Sequence, residues 1–112
     1  MDGYNAFRPR GDTMLIVGST TGPNASQAGG PAAGDVAYLI ANMGSNDAYV
    51  GYGPSSGVAA ANSAVPLIGT NVACIPVPGR QQRIVTLTPA LFFAATTPSS
   101  QSPVTITPGD GV

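Results

Sequence analysis

The chain contains no Lys, no Glu, no His and no Trp, and it has a single cysteine. Each absence closes off a class of function. Without His or Glu, general acid–base catalysis would fall to Asp, Tyr or the lone thiol. The five acidic residues, Asp2, Asp12, Asp35, Asp47 and Asp110, all stand beside Gly, Asn or Thr in arm or turn positions. Asp in such positions ordinarily accepts local backbone hydrogen bonds. Asx turns at Asp35, Asp47 and Asp110 are therefore expected, not a catalytic dyad. A zinc site would have one Cys and no His to draw on, and Asn46-Asp47 offers too few oxygens for calcium. The expectation is a protein that is not an enzyme and that uses no cofactor and no metal.

One cysteine permits no intrachain disulfide. Cys74, within Val72-Ala73-Cys74-Ile75, reads as a small buried hydrophobe. Charge is also scarce: 8% of residues carry it, against about 25% in an ordinary soluble domain. Arg8, Arg10, Arg80 and Arg83 are offset by the five Asp, for a net charge of −1. That leaves no basic stripe for phosphates, so nucleic acid is not an expected partner. No apolar run approaches the roughly 20 residues of a membrane helix, so no membrane partner is expected. The first residues do not read as a secretory leader, which needs a basic start and an apolar core.

What is present is small and apolar. Hydrophobic residues make up 43% of the 112, with 15 Gly and 11 Pro. The length suits one domain, and the hydrophobicity is too high for a disordered chain. A small domain with so little charge has a surface poorly suited to a free monomer. Much of that surface is expected to be covered by partners or by copies of the chain.

Residues 1–12 have two aromatics, Tyr4 and Phe7, and two cations, Arg8 and Arg10, but no strand or helix period. They read as an N-terminal arm, followed by a single β domain over 13–112. Arg10-Gly11-Asp12 matches the integrin-binding tripeptide, and a three-residue match is read as coincidence. Thr13–Val17 is a β-branched and aliphatic strand run. Residues 18–34 carry no charge and are small or polar, so a long surface loop is expected there. Val36–Ala41 and Ala48–Tyr52 read as two arms of a hairpin joined by the polar turn 42–47. The first arm is apolar on both faces and should be buried on both. Residues 53–64 form a second small-residue loop, in which Val58–Ala64 is too short for a helix stable on its own. Val65–Ile68 and Val72–Val77 are further short strand candidates. In the run 83–87, Val85 and Leu87 should face one side, Ile84 and Thr86 the other. Leu91–Ala95 and Val104–Ile106 complete about eight short strands separated by Pro, Gly, Asn and Ser clusters, the pattern of an all-β antiparallel sandwich or jelly-roll-like domain.

Certain stretches carry a likeness beyond composition. Tyr4-Asn5-Ala6-Phe7-Arg8-Pro9 runs into a strand. The middle pairs Ile40-Ala41-Asn42-Met43-Gly44 with Tyr49-Val50-Gly51-Tyr52-Gly53. The end runs from Ile84-Val85-Thr86-Leu87-Thr88-Pro89 through Phe92-Phe93-Ala94-Ala95 to Val104-Thr105-Ile106-Thr107-Pro108-Gly109-Asp110-Gly111-Val112. Together they resemble small virion structural proteins of tailed bacteriophages, of the head decoration or cement type. The likeness spans most of the chain outside the two loops, and the long 18–34 loop departs from it.

The resemblance implies a β-sandwich or jelly roll made in the host cytoplasm and carried on the capsid surface of the virion. Its partner would be the major capsid protein. It would act as a homo-oligomer, a trimer before a dimer, bridging neighbouring capsid subunits. Candidate contacts are Tyr4, Phe7, Arg8 and Arg10 on the arm, and Tyr49 and Tyr52 on an outward face. Alternative readings are a tail, vertex or head–tail junction component, or a host-surface adhesion module.

Overall fold

The computed structural model describes residues 7–20, 25–30, 34–66, 68–69, 71, 73–89 and 91–110. In chain order the strands are β1 (Arg8–Pro9), β2 (Met14–Gly18), β3 (Ser26–Gln27), β4 (Val36–Asn42) and β5 (Ala48–Gly53). Helix α1 (Ser56–Asn62) follows, then β6 (Cys74–Val77), β7 (Gln82–Leu87), β8 (Phe92–Thr96) and β9 (Ser102–Asp110). All ladder pairs between these strands are antiparallel. They form two sheets. Sheet A has the order β1-β9-β4-β7, with β2 also on β9, and sheet B the order β3-β8-β5-β6. The protein is thus an all-β sandwich, as its strand spacing led us to expect.

The registers show which residues share a face. Ile40 lies opposite Ile106, and Tyr38 opposite both Pro108 and Val85. Because side chains alternate along a strand, one parity of each strand points at the other sheet. These inward residues meet in one core of Ile16, Val36, Tyr38, Ile40, Val104 and Ile106 from sheet A, and Ala48, Val50, Val77, Phe93 and Ala95 from sheet B. Tyr38 and Phe93 are wholly buried and touch across the core, with ring centroids 4.9 Å apart and planes tilted by 59°. The Tyr38 hydroxyl donates to the Thr88 carbonyl at 2.9 Å, so the buried phenol is not left unpaired. Burial pushes its pKa above the usual value, against the opposing effect of a backbone hydrogen bond at Leu91.

The expected hairpin is not one. β4 belongs to sheet A and β5 to sheet B, so residues 43–47 cross between layers as an arch. One side chain organises the crossing. Asn42 is 2% exposed. Its Nδ2 donates to the carbonyls of Asn46 (2.7 Å) and Val77 (3.0 Å). Its Oδ1 accepts from the Gly44 amide (3.0 Å) and the Ser102 hydroxyl (2.6 Å). Two donors and two lone pairs are all that an amide side chain offers, and here all four are used. The apolar alternation of the flanking runs is the same for an arch as for a hairpin, which is why the pattern did not separate them.

Three other expectations are corrected. Val65–Ile68 forms no strand at its described residues, and only Cys74–Val77 of the following run is one. The 18–34 segment is not merely a surface loop. Ser26 and Gln27 pair with Phe93 and Phe92, the Ala28 amide donates to the Leu91 carbonyl at 2.9 Å, and Ala28 joins the core. The 53–64 loop contains a helix. Ser55 caps α1 by accepting from the Val58 amide, and tertiary packing supplies what seven residues lack alone.

Candidate interaction surface

The outward faces of the two sheets are built from different residues. On sheet B the outward parity of β5 places Gly51 and Gly53 under α1. A Cβ at Gly51 would collide with the helix backbone at Ala59, Asn62 and Ser63, and one at Gly53 would strike the Val58 side chain. Glycine at these positions lets the helix lie directly on the strand. Ala59 is fully buried beneath it. The helix is tied down by Asn62 Nδ2 donating to the Tyr52 carbonyl at 3.1 Å and by the Thr96 hydroxyl donating to the Ser63 carbonyl.

The outward face of sheet A is covered only at one end among the described residues, where Phe7 reaches Gly109, Thr13 meets Thr107 and Ala37 is buried; the rest has no such cover. Following the register, Leu15 lies opposite Thr105, Thr105 opposite Ala41 and Ala41 opposite Gln82. A second row runs Thr107, Leu39 and Ile84, and Val17 sits opposite Pro103. Leu15 is 61% exposed, Val17 49% and Ile84 41%. Met43, where the chain leaves β4, is 59% exposed. None of these residues is ionisable. Scattered exposed apolar residues are ordinary, whereas a contiguous patch on one face marks an interaction surface.

This face was half foreseen. Val85 and Leu87 do pack on the core while Ile84 faces out, but β4 is not buried on both faces as expected: Leu39 and Ala41 on its outer side are only half-buried. The sequence pattern leaves open whether the second face of the 14–17 strand is covered, and the structure leaves Leu15 and Val17 bare. The signal was the run Met14-Leu15-Ile16-Val17, which is apolar at both parities on a strand that lies at the sheet margin.

The arm residues lie elsewhere. Tyr4 is outside the described residues. Arg8 and Pro9 pair with Asp110 and Gly109 as β1, and the Arg10 amide donates to the Pro108 carbonyl at 2.8 Å. The tip of the half-buried Phe7 ring sits where a side chain on residue 109 would go. Residues 7–10 are thus laid along β9 instead of standing free. Arg10 Nη1 and Asp110 Oδ2 form an ion pair at 2.8 Å, with both side chains about half exposed. Such pairs contribute on the order of 0–1 kcal/mol.

Tyr49 and Tyr52 do not share an outward face. They are three residues apart on one strand, so their side chains point to opposite sides. Tyr52 packs on the core, 6.3 Å from the Phe93 ring. Tyr49 is half-buried on the outward side, opposite Thr96 and Pro76. Tyr52 is therefore withdrawn as an outward contact. The structure brings no two of the predicted contact regions together: the arm segment is on the β9 edge of sheet A and Tyr49 is outside sheet B.

Asp110 serves an ion pair and Asp47 accepts from the Gly79 amide at 3.1 Å. The Asp47 bond reaches 32 residues along the chain, so it braces the arch against the 78–81 turn instead of closing an Asx turn. Cys74 is half-buried on the outward side of β6. Burial pushes its thiol up, with its own backbone hydrogen bond opposing, which keeps the nucleophilic thiolate scarce at neutral pH. No group of three or more Cys, Asp or other metal-binding side chains gathers among the described residues. No family model, curated protein or solved structure matches the chain.

Proposed function

We propose that this chain is a non-enzymatic structural virion protein of the decoration or cement type. It binds the outer surface of a phage capsid through the major capsid protein and stabilises the shell by bridging subunits. The observation that carries the reading is the bare, charge-free outer face of sheet A. It is supported by the 8% charged composition and by the likeness of the quoted stretches to such proteins.

Magnitudes constrain how such a face would work. Burying a Val, Leu or Ile side chain fully is favourable by about 1.5–3 kcal/mol. Covering the exposed parts of Leu15, Val17 and Ile84 thus offers on the order of 2–4 kcal/mol. Immobilising a free protein costs an estimated 4–15 kcal/mol, so one such face does not hold one copy. Several copies joined together do, because each further contact is then intramolecular. What binds only the assembled shell stabilises that shell by mass action.

The test is electron microscopy of capsids mixed with wild-type chain and with the double variant Leu15→Lys, Val17→Lys. Wild type is expected to decorate the lattice in hundreds of copies, while the folded variant leaves it bare. Roughly a dozen copies or fewer, at a vertex or tail, would move the protein to the tail or head–tail junction. Undiminished decoration by the double variant would remove sheet A's face from the docking site.

A further inference from the structure

The two sheets end in strands that differ in one respect. β3 is two residues long, and β6 is four residues with Pro76 inside it and Pro78 directly after. β1 is two residues with Pro9. β2 turns its end into the other sheet, where Ser19 bridges Thr96 and the Thr97 amide donates to the Ser19 carbonyl at 3.0 Å. Short length, proline, charge and closure against a neighbour are the ordinary ways of keeping an edge from pairing. β7 has only one of them, the single charge of Arg83 opposite Ile40. It is six residues, Gln-Arg-Ile-Val-Thr-Leu, with no Pro, Gly or Lys. One side pairs with β4 and no described strand lies on the other.

We infer that the free edge of β7 is a pairing site for β7 of a second copy, joining two sheets A into one continuous sheet across a two-fold axis. The strand's own side chains select that occupant. In an antiparallel pair, opposed residues point to the same face. Two copies related by an axis perpendicular to the sheet can therefore meet only where paired residue numbers sum to an even value. Centring the axis on Arg83 would oppose two like charges. Centring it on Ile84 separates the charges but sets polar Gln82 against Thr86, whereas centring it on Val85 opposes Val85 to Val85, Ile84 to Thr86 and Arg83 to Leu87. These are β-branched and aliphatic pairs, the kind that stabilise antiparallel ladders, and the Arg83 stem can lie along Leu87 with its head in water. The join would place the two bare faces, with Ile84 and Thr86 at the seam, side by side on one surface. That last consequence, a doubled docking face, rests on the proposed capsid role. The pairing does not.

The experiment uses the purified chain in solution, with no capsid present. Sedimentation equilibrium is expected to show a concentration-dependent dimer. Hydrogen exchange is expected to show every second amide of Arg83–Leu87 protected in concentrated and not in dilute protein. Thr86→Lys, on the exposed seam, should abolish the dimer, while Leu15→Lys on the distant strand of the same face should leave it. Chains bearing Ile84→Cys and chains bearing Thr86→Cys should form an interchain disulfide when mixed and not when oxidised separately. A monomer at every concentration with unprotected β7 amides would overturn the inference. So would a dimer that survives Thr86→Lys but is lost in Leu15→Lys, which would assign it to the face. Protection of β7 that develops only on capsids would give the edge to a different strand.

Discussion

The two outer faces of this sandwich solve the same problem in different ways. Each sheet turns one face to the core and must do something with the other. Sheet B has glycine at positions 51 and 53, which brings α1 down onto the strand and buries Ala59 completely. Sheet A keeps Leu15, Val17 and Ile84 on its outside with nothing described above them. Sheet B's outside also carries large residues, Tyr49 and Phe92, but both are half-buried, whereas Leu15, Val17 and Ile84 on sheet A are 41–61% exposed. The difference teaches that the helix supplies cover to one sheet and that most of the other face has none within the described chain.

The contrast can be broken first at the covered face. Gly51→Val places a branched side chain into the helix backbone, so it should destabilise by about 3 kcal/mol or more. A lower urea midpoint with loss of the far-UV helical contribution would show that α1 has been lifted. The next largest effect is expected where the two layers are joined. Asn42→Ala leaves the Val77 and Asn46 carbonyls, the Gly44 amide and the Ser102 hydroxyl without their partner. A loss of about 2–4 kcal/mol is expected, read from denaturant unfolding. Asn42→Asp should recover little, because a carboxylate cannot donate to the two carbonyls.

A third prediction concerns pH. The raised pKa of Tyr38 means that the fold disfavours its ionised form. Stability from this source is complete below the ordinary tyrosine value near 10. It is lost as pH rises from there through the folded value. Thermal unfolding followed across alkaline pH should show a decline that is smaller in Tyr38→Phe than in wild type. The smallest effect is expected on the open face. Leu15→Ser and Val17→Thr should change stability by no more than about 0.5 kcal/mol. A large loss in either would mean that this face is covered within the chain, and the contrast between the sheets would fail.

Strand alternation was the legible part of the fold. Period-two patterning identified β7 and placed Val85 and Leu87 inward, while the expected burial of β4 on both faces holds on its core side and at Ala37 but not at Leu39 and Ala41, which are half-buried. Layer assignment was not legible. The runs 36–41 and 48–52 look the same whether they pair or part, and the deciding residue, Asn42, acts through Val77 and Ser102, far away in sequence. Helix α1 was hidden because its stability comes from the glycine floor beneath it, not from its own seven residues. For the candidate surface, the two-faced apolar run at 14–17 was visible. Its exposure was not, since that depends on β2 having only β9 beside it. Tyr52 was misplaced by treating two tyrosines on one strand as a pair, when a separation of three puts them on opposite sides.

β9 has a consequence for how the chain becomes a protein. It comes after every other strand in chain order, yet it is the strand on which β1, β2 and β4 all converge. It also brings Ser102 to the arch. Without β9, β1 and β2 have no ladder partner and β4 has only β7. Sheet A therefore closes through contacts between residues distant in sequence, a topology that folds slowly. While β9 is undocked the apolar strands it joins stay unpaired, so the rate of folding rests on how quickly a single strand finds its place.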